Sequence, residues 1–144
     1  MASTILAPAG TVLSLHRYPV KSMMGEELDV ADVTERGILG DRGYALVDTK
    51  TAKVVSAKNP RKWAKMFECS ADYVEAPTPG QPLPPVRVTL PDGSSVPSDD
   101  AGFDAALSRF LGRDVMLTAT APKMPIYDHF WYDYQTPLRR SAQP

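Results

Sequence analysis

Two short motifs carry residues that suit anion binding. Lys21 follows Pro19 in the sequence HRYPVKS, with Ser22 beside it, and Arg42 lies further on in the glycine-rich sequence GILGDRGY. A lysine supplies a compact positive charge, and the planar guanidinium group of arginine matches two oxygens of a phosphate. A serine hydroxyl adds a hydrogen-bond donor. We therefore expect Pro19 to stiffen an arm that presents Lys21 and Ser22 to an anion, with Arg42 completing the site.

Each motif also has a purely structural interpretation, and the sequence leaves both open. The first motif is then a strand that ends at Pro19 with a solvated lysine after it. In the second, Asp41 accepts hydrogen bonds from nearby backbone amides and Arg42 pairs with it. The glycine-rich sequence matches neither the dinucleotide-binding fingerprint nor the phosphate loop of nucleotide hydrolases.

A basic run, KNPRKWAK, offers four further cations: Lys58, Arg61, Lys62 and Lys65. They extend the anion site if the fold brings them near Lys21 and Arg42. Otherwise they form the solvated face of a short helical turn. Trp63 is the single aromatic residue within the run, whereas a nucleic-acid groove interleaves several with its cations.

The sequence shows no catalytic machinery and no metal site. Cys69 falls on the apolar side of a predicted strand, which indicates a buried, unreactive thiol. His16 and His129 are too few for a zinc site, which needs three or four ligands. No serine or cysteine has a recognisable base, and no pair of carboxylates suggests an acid and a base.

Composition narrows the class of protein. The net charge of −1 argues against a nucleic-acid or anionic-membrane partner. A single cysteine cannot form an internal disulfide, and no apolar run approaches the roughly 20 residues that cross a bilayer. We expect a cytoplasmic protein.

Fourteen prolines among 144 residues predict many short elements joined by turns. We predict a mainly β fold, an antiparallel barrel-like sheet of six to seven short strands capped by one α-helix at about residues 98–111. Ser98 is the expected N-cap of that helix and Gly112 its stop. Candidate strands lie at residues 11–18, 28–33, 43–48, 53–56, 66–74, 86–90, 95–97 and 115–120, with 43–48 and 53–56 as a hairpin.

The last part of the chain, residues 122–144, is rich in aromatic residues. It contains Tyr127, Phe130, Trp131, Tyr132 and Tyr134. Such a cluster is rarely left in water, so we expect it to fold back over the sheet or to meet another surface. An interaction module that docks a protein partner through this tail is therefore an alternative function.

Residues 10–120 resemble the N-terminal β-barrel domain that precedes MOSC domains, the molybdenum cofactor sulfurase C-terminal domain family, and we predict that this domain spans residues 8–121 and the tail residues 122–144. The likeness rests on YPVKS, Gly25, GILGDR followed by Tyr44 and LVD, and the later LPDG and SDDAGFDAALSRFLGRDV. The first two motifs, in this order and at this separation, are fairly specific together.

The resemblance implies a function that spacing does not. Barrel and MOSC domain together hold the pterin-type molybdenum cofactor, molybdopterin, in oxidoreductases or sulfur-carrier proteins. Lys21, Ser22 and Arg42 match the positions that contribute to the phosphate and pterin of the cofactor. The metal-ligating cysteine belongs to the MOSC domain, and Cys69 does not match it. We expect an accessory module without catalysis of its own, in which residues 122–144 lead toward a MOSC domain that is absent or truncated.

Overall fold

The fold consists mainly of short antiparallel strands, as the sequence predicts. The computed structural model describes residues 7–119, and within them nine strands form four small sheets without a closed barrel. The strands are β1 (Leu15–Arg17), β2 (Glu26–Leu28), β3 (Val33–Thr34), β4 (Gly37–Ile38), β5 (Ala45–Asp48), β6 (Ser70–Tyr73), β7 (Val86–Thr89), β8 (Ser95–Pro97) and β9 (Val115–Thr118). They are more numerous and shorter than expected. Segment 28–33, for example, is not one strand, because its two ends belong to β2 and β3.

Within the described residues, four of the five strand pairs join strands that are consecutive in the chain, and the pair β5–β9 is the exception. β1 pairs with β2, β3 with β4, β5 with β9, and β6, β7 and β8 form a three-stranded sheet, all antiparallel. The hairpin predicted at 43–48 and 53–56 is present but short, with one antiparallel bridge between Val47 and Val54 and backbone hydrogen bonds on both sides of it. β9 pairs with the other edge of β5. A parallel bridge between Met24 and Ser70 joins the segment between β1 and β2 to β6.

A hydrophobic core lies between these sheets and the helices. In β7 the buried residues Val86 and Val88 alternate with outward-facing ones, as a strand with one face on a core requires. Cys69 is also buried, and this burial raises the pKa of its thiol to about 11. The prediction of a buried thiol is confirmed, and a thiol that stays protonated is a poor nucleophile.

The helix predicted at about residues 98–111 is shorter than expected at its start. Helix α2 spans Phe103–Leu111 and ends directly before Gly112, as predicted. Ser98 is not its N-cap, because the Ser98 hydroxyl accepts a hydrogen bond from the Val86 amide at 3.0 Å. The Asp100 carboxylate instead accepts one from the Gly102 amide at 2.7 Å, in a turn that precedes the helix.

The basic run forms a short helix, which the sequence allowed as a helical turn. Helix α1 spans Pro60–Trp63 and continues into a 3-10 helix at Ala64–Glu68. The strand predicted at 66–74 therefore begins only at Ser70. Trp63 and Met66 are both fully buried, and this spacing of three suits a helical turn rather than an alternating strand.

The predicted domain boundaries, 8–121 and 122–144, stay predictions, because residues 1–6 and 120–144 lie outside the described part of the chain. The aromatic tail lies outside it as well. Among residues 7–119, no helix combines the length and the apolar character that crossing a bilayer requires.

The core predicts a contrast between two truncations on paired strands. Leu46 in β5 is fully buried and Met116 in β9 is 47% exposed. We expect Leu46→Ala to lower the free energy of unfolding by about 2–5 kcal/mol, and Met116→Ala to change it by about 0.5 kcal/mol or less. Urea denaturation measures both, and equal losses would contradict the assigned core.

Candidate anion-binding site

The two motifs identified in the sequence lie side by side. The Tyr44 amide donates to the Pro19 carbonyl at 3.0 Å, and the Lys21 amide donates to the Tyr44 carbonyl at 2.9 Å. These bonds form a parallel bridge between Val20 and Tyr44. The fold therefore places the chain that carries Lys21 along the end of GILGDRGY.

Both backbone polar groups of Tyr18 are bound by the second motif. The Tyr18 amide donates to Asp41 Oδ1 at 2.9 Å, and the Arg42 amide donates to the Tyr18 carbonyl at 2.6 Å. Arg42 has a φ of +50°, a left-handed conformation that is uncommon outside glycine. Its guanidinium donates to Asp41 Oδ2 and lies 5.5 Å from the centre of the Tyr18 ring. The predicted pairing of Arg42 with Asp41 is thus confirmed, whereas the amide that Asp41 binds belongs to Tyr18, which is distant in the sequence rather than local.

Arg42 nevertheless remains accessible, with its side chain 60% exposed, and it borders a depression of about 630 Å³. Four cations line the depression, and among the described residues Asp41 is its one carboxylate. The cations are Lys21, Arg36, Arg42 and Lys58, and an apolar part of the wall comes from Ile38, Leu39, Tyr44 and Leu83. We call this depression the cationic pocket.

Lys21 is perturbed by its surroundings in the pocket. Burial lowers the pKa of Lys21, and the positive charges of Lys58 and Arg42 lower it further. Like charges held close together disfavour the charged form of each group. A partly buried lysine beside two other cations is typical of a site that receives an anion.

Ser22 lies next to the pocket in the sequence and binds the segment that leads to Lys58. Its φ is +69°, and its hydroxyl oxygen accepts a hydrogen bond from the Ala57 amide at 3.0 Å. Ser22 is not among the residues that line the pocket. The bond fixes the chain one residue before Lys58, so the hydroxyl helps to hold a cation in place. The predicted hydrogen bond from Ser22 to a ligand stays a prediction.

The basic run is divided between two places. Lys58 joins the cationic pocket, whereas Arg61, Lys62 and Lys65 lie at a second depression near the end of α2. There Lys62 Nζ pairs with Asp48 Oδ2 at 2.9 Å, and Lys65 Nζ donates to the Phe110 carbonyl at 3.3 Å. Of the four cations in the basic run, Lys58 therefore lies near Lys21 and Arg42 and extends the candidate anion site.

Sequence reasoning missed Arg36, which lies in the two-residue turn between β3 and β4. The Thr34 hydroxyl donates to the Gly37 carbonyl at 2.9 Å and accepts from the Arg36 amide at 3.1 Å, which fixes the turn. Arg36 lines the pocket because the β3–β4 hairpin that carries it folds toward the pocket. Its charge was the single signal in the sequence.

Metal-ligand side chains do not converge in the part of the chain that the structure describes. No group of three or more histidine, cysteine, aspartate or glutamate side chains there is placed to hold a metal ion. The candidate site is therefore defined by cations rather than by metal ligands.

The fold and the pocket define a small β domain whose candidate site is formed by the loops between its strands. The chain belongs to the MOSC N-terminal beta barrel domain family, whose sequence model matches residues 9–114. This confirms the resemblance found in the sequence. Comparisons with curated proteins and with solved structures gave no significant match.

The contacts of Asp41 predict different costs for two substitutions. Asp41→Ala leaves the partly buried Tyr18 amide without its acceptor and should lower the free energy of unfolding by about 1–3 kcal/mol. Asp41→Asn keeps an acceptor oxygen and loses mainly an exposed ion pair, worth about 1 kcal/mol or less. Chemical denaturation compares them, and a larger loss for the asparagine variant would contradict this role.

The charge of Lys58 should also be visible at Lys21. We expect Lys58→Ala to raise the pKa of Lys21 toward its ordinary value, because one repelling charge is removed. Lys50→Ala is the matched control, since Lys50 is exposed, pairs with Asp114 and lies outside the pocket. NMR titration of the lysine side chains measures the change, and an unmoved Lys21 pKa in the first variant would exclude the coupling.

Proposed function

We propose that this chain is an accessory module that binds the phosphate-bearing pterin of the molybdenum cofactor through its cationic pocket. The observation that carries the proposal is the convergence of Lys21 and Arg42, from two separate motifs, on one pocket. The MOSC family is associated with this cofactor, and the chain belongs to the family of its N-terminal barrel.

The chemistry of the pocket fits such a group. Lys21, Arg42 and Lys58 offer positive charge to a phosphate, and the apolar wall at Tyr44 and Leu83 offers a surface to a flat ring. Arg36 adds a further cation at the rim. When bound, the cofactor supplies molybdenum redox or sulfur-transfer chemistry, whereas the residues of this chain bind and orient it. Ser22 supports the site by fixing residue 57 and, in this proposal, also donates to the ligand.

Catalysis is not part of the proposed role. The thiol of Cys69 is buried and its raised pKa keeps it protonated, so it does not serve as a nucleophile or a metal ligand at neutral pH. In this proposal the metal ligand comes from a MOSC domain. The barrel contributes charge that holds the phosphate end of the cofactor.

A protein partner is the second part of the proposal. Thr118 and Ala119 line the cationic pocket, and the aromatic tail begins at residue 122, three positions further along the sequence. In this proposal residues 122–144 engage a MOSC domain or another protein partner. An interaction module that uses only this tail, without a ligand, stays the alternative prediction. Light scattering of the full chain and of a chain truncated after Pro122 tests this alternative. The alternative loses its support if the truncation leaves the oligomeric state unchanged.

Binding is tested by NMR titration of the full chain with pyrophosphate and with a pterin phosphate. We expect the amides of Lys21, Arg42 and Lys58 to shift together. Lys21→Ala and Arg42→Ala should each weaken binding about 10- to 100-fold, because each removes a charge-assisted hydrogen bond. The pterin phosphate should bind more tightly than pyrophosphate, since the apolar wall then contributes.

Lys65→Ala and Arg113→Ala are the matched controls, because both residues line the second depression and not the cationic pocket. They should bind both probes as the unaltered chain does. Equal weakening by these controls would indicate nonspecific attraction and contradict the site. Equal affinity for the two probes would leave a simple anion site and contradict the assignment of the pterin.

A further inference from the structure

Two side chains hold the loop immediately before Arg42. Arg17 Nη1 from β1 donates to the Leu39 carbonyl at 3.4 Å, and the Tyr73 hydroxyl from β6 donates to the Gly40 carbonyl at 2.8 Å. Two strands of different sheets therefore bind consecutive carbonyls of one loop. These bonds fix the path of the chain two residues before the guanidinium that borders the pocket.

The two donors are themselves held rigidly. Arg17 and Tyr73 are 8% and 5% exposed, and the Arg17 guanidinium lies 4.9 Å from the centre of the Tyr73 ring. Arg17 Nε also donates to Glu26 Oε1 at 2.8 Å, across the β1–β2 pair. Burial is the main cause that raises the pKa of Tyr73, and the neighbouring Tyr44 raises it further. The hydroxyl therefore stays protonated at neutral pH and remains a donor. We call Arg17 and Tyr73 the loop clamp.

The loop fits closely around the end of the Tyr73 ring. A Cβ atom at Gly40 would lie 2.9 Å from Tyr73 Cε2, and one at Gly43 would lie 2.6 Å from the Tyr73 hydroxyl oxygen. Real Cβ atoms are not found at such distances. The glycines on both sides of Asp41 and Arg42 thus permit the close approach that the hydrogen bond to Gly40 needs.

A buried tyrosine usually finds a partner for its hydroxyl, so one bond alone indicates only a satisfied core residue. Here two buried donors select adjacent carbonyls, and the loop then places Arg42 in a left-handed conformation. Such a conformation persists only where the surrounding structure imposes it. The clamp supplies that constraint on one side, and the bonds to Tyr18 supply it on the other.

We propose that Tyr73 and Arg17 are positioning residues that set the place of Arg42 in the cationic pocket, so that the anion affinity of the pocket depends on two buried side chains outside it. The inference rests on the proposed function of that pocket. In this role the clamp holds Arg42 in place before an anion binds, so less conformational entropy is lost on binding.

The test is a double-mutant cycle between Tyr73→Phe and Arg42→Ala, with pyrophosphate as the probe and the full chain as the protein. Tyr73→Phe removes the hydroxyl and keeps the ring beneath Arg17. We expect pyrophosphate to bind about three- to tenfold more weakly, because one hydrogen bond that orders the loop is lost. In the Arg42→Ala background the same substitution should have no further effect on affinity, since the residue that it positions is gone.

Ser108→Ala is the matched control. The Ser108 hydroxyl accepts from the Val115 amide at 2.9 Å and lies outside the cationic pocket, so its removal costs stability without touching the loop. It should leave the pyrophosphate affinity and the amide exchange rate of Arg42 unchanged, whereas Tyr73→Phe should accelerate that exchange. Arg17→Met, which keeps an unbranched side chain but has no N–H to donate to the Leu39 carbonyl, replaces Tyr73→Phe in the cycle if the latter fails to fold.

The outcomes separate the clamp from the proposed function. If the unaltered chain binds pyrophosphate and Arg42→Ala weakens it, while Tyr73→Phe binds normally, the pocket stands and the clamp is overturned. An effect of Tyr73→Phe that persists undiminished in the Arg42→Ala background also overturns it, because the role is then general stability. Absence of pyrophosphate binding by the folded, unaltered chain overturns the proposed function and the role of the clamp with it.

Discussion

The candidate site depends on the way in which GILGDRGY binds the backbone of Tyr18. Asp41 accepts from the Tyr18 amide and the Arg42 amide donates to the Tyr18 carbonyl, so both polar groups of one residue are satisfied by one loop. The parallel bridge between Val20 and Tyr44 continues this contact toward Lys21. Without it, Lys21 and Arg42, two of the four cations that line the pocket, would have no fixed separation.

The pocket brings several positive charges close together, which is unfavourable. Hydrogen bonds of the surrounding loops must therefore stabilise this arrangement. The lowered pKa of Lys21 reports burial and the proximity of Lys58 and Arg42. Ser22 and Arg42 both have positive φ values, which are unfavourable for residues other than glycine. Each is held by specific backbone bonds, from Ala57 to the Ser22 hydroxyl and from the Arg42 amide to Tyr18. Charge crowding and backbone strain thus coincide at the residues to which the proposed function assigns a ligand.

Some predictions succeeded because local pattern and structure share a cause. The candidate strand at 86–90 and the glycine after α2 are local signals, and the structure confirms both. Cys69 is buried as predicted, although it lies directly before β6 and not within a strand. Others failed where a distant residue competes for a local group. Ser98 suits an N-cap, yet its hydroxyl accepts from the Val86 amide, which is distant in the sequence. The predicted hairpin at 43–48 and 53–56 forms only over a short stretch, and local pattern did not indicate that β9 pairs with the other edge of β5.

The sequence by itself determined a mainly β chain with two anion-suited motifs, and the family model that matches residues 9–114 agrees with it. Residue types, prolines and turn signals act over a few positions, so they are readable without the fold. The tertiary structure alone decided that Lys58 joins Lys21 and Arg42, that Arg61 does not, and that Arg36 reaches the same pocket. These relations depend on hydrogen bonds between segments far apart in the chain, and no local pattern specifies which segments meet.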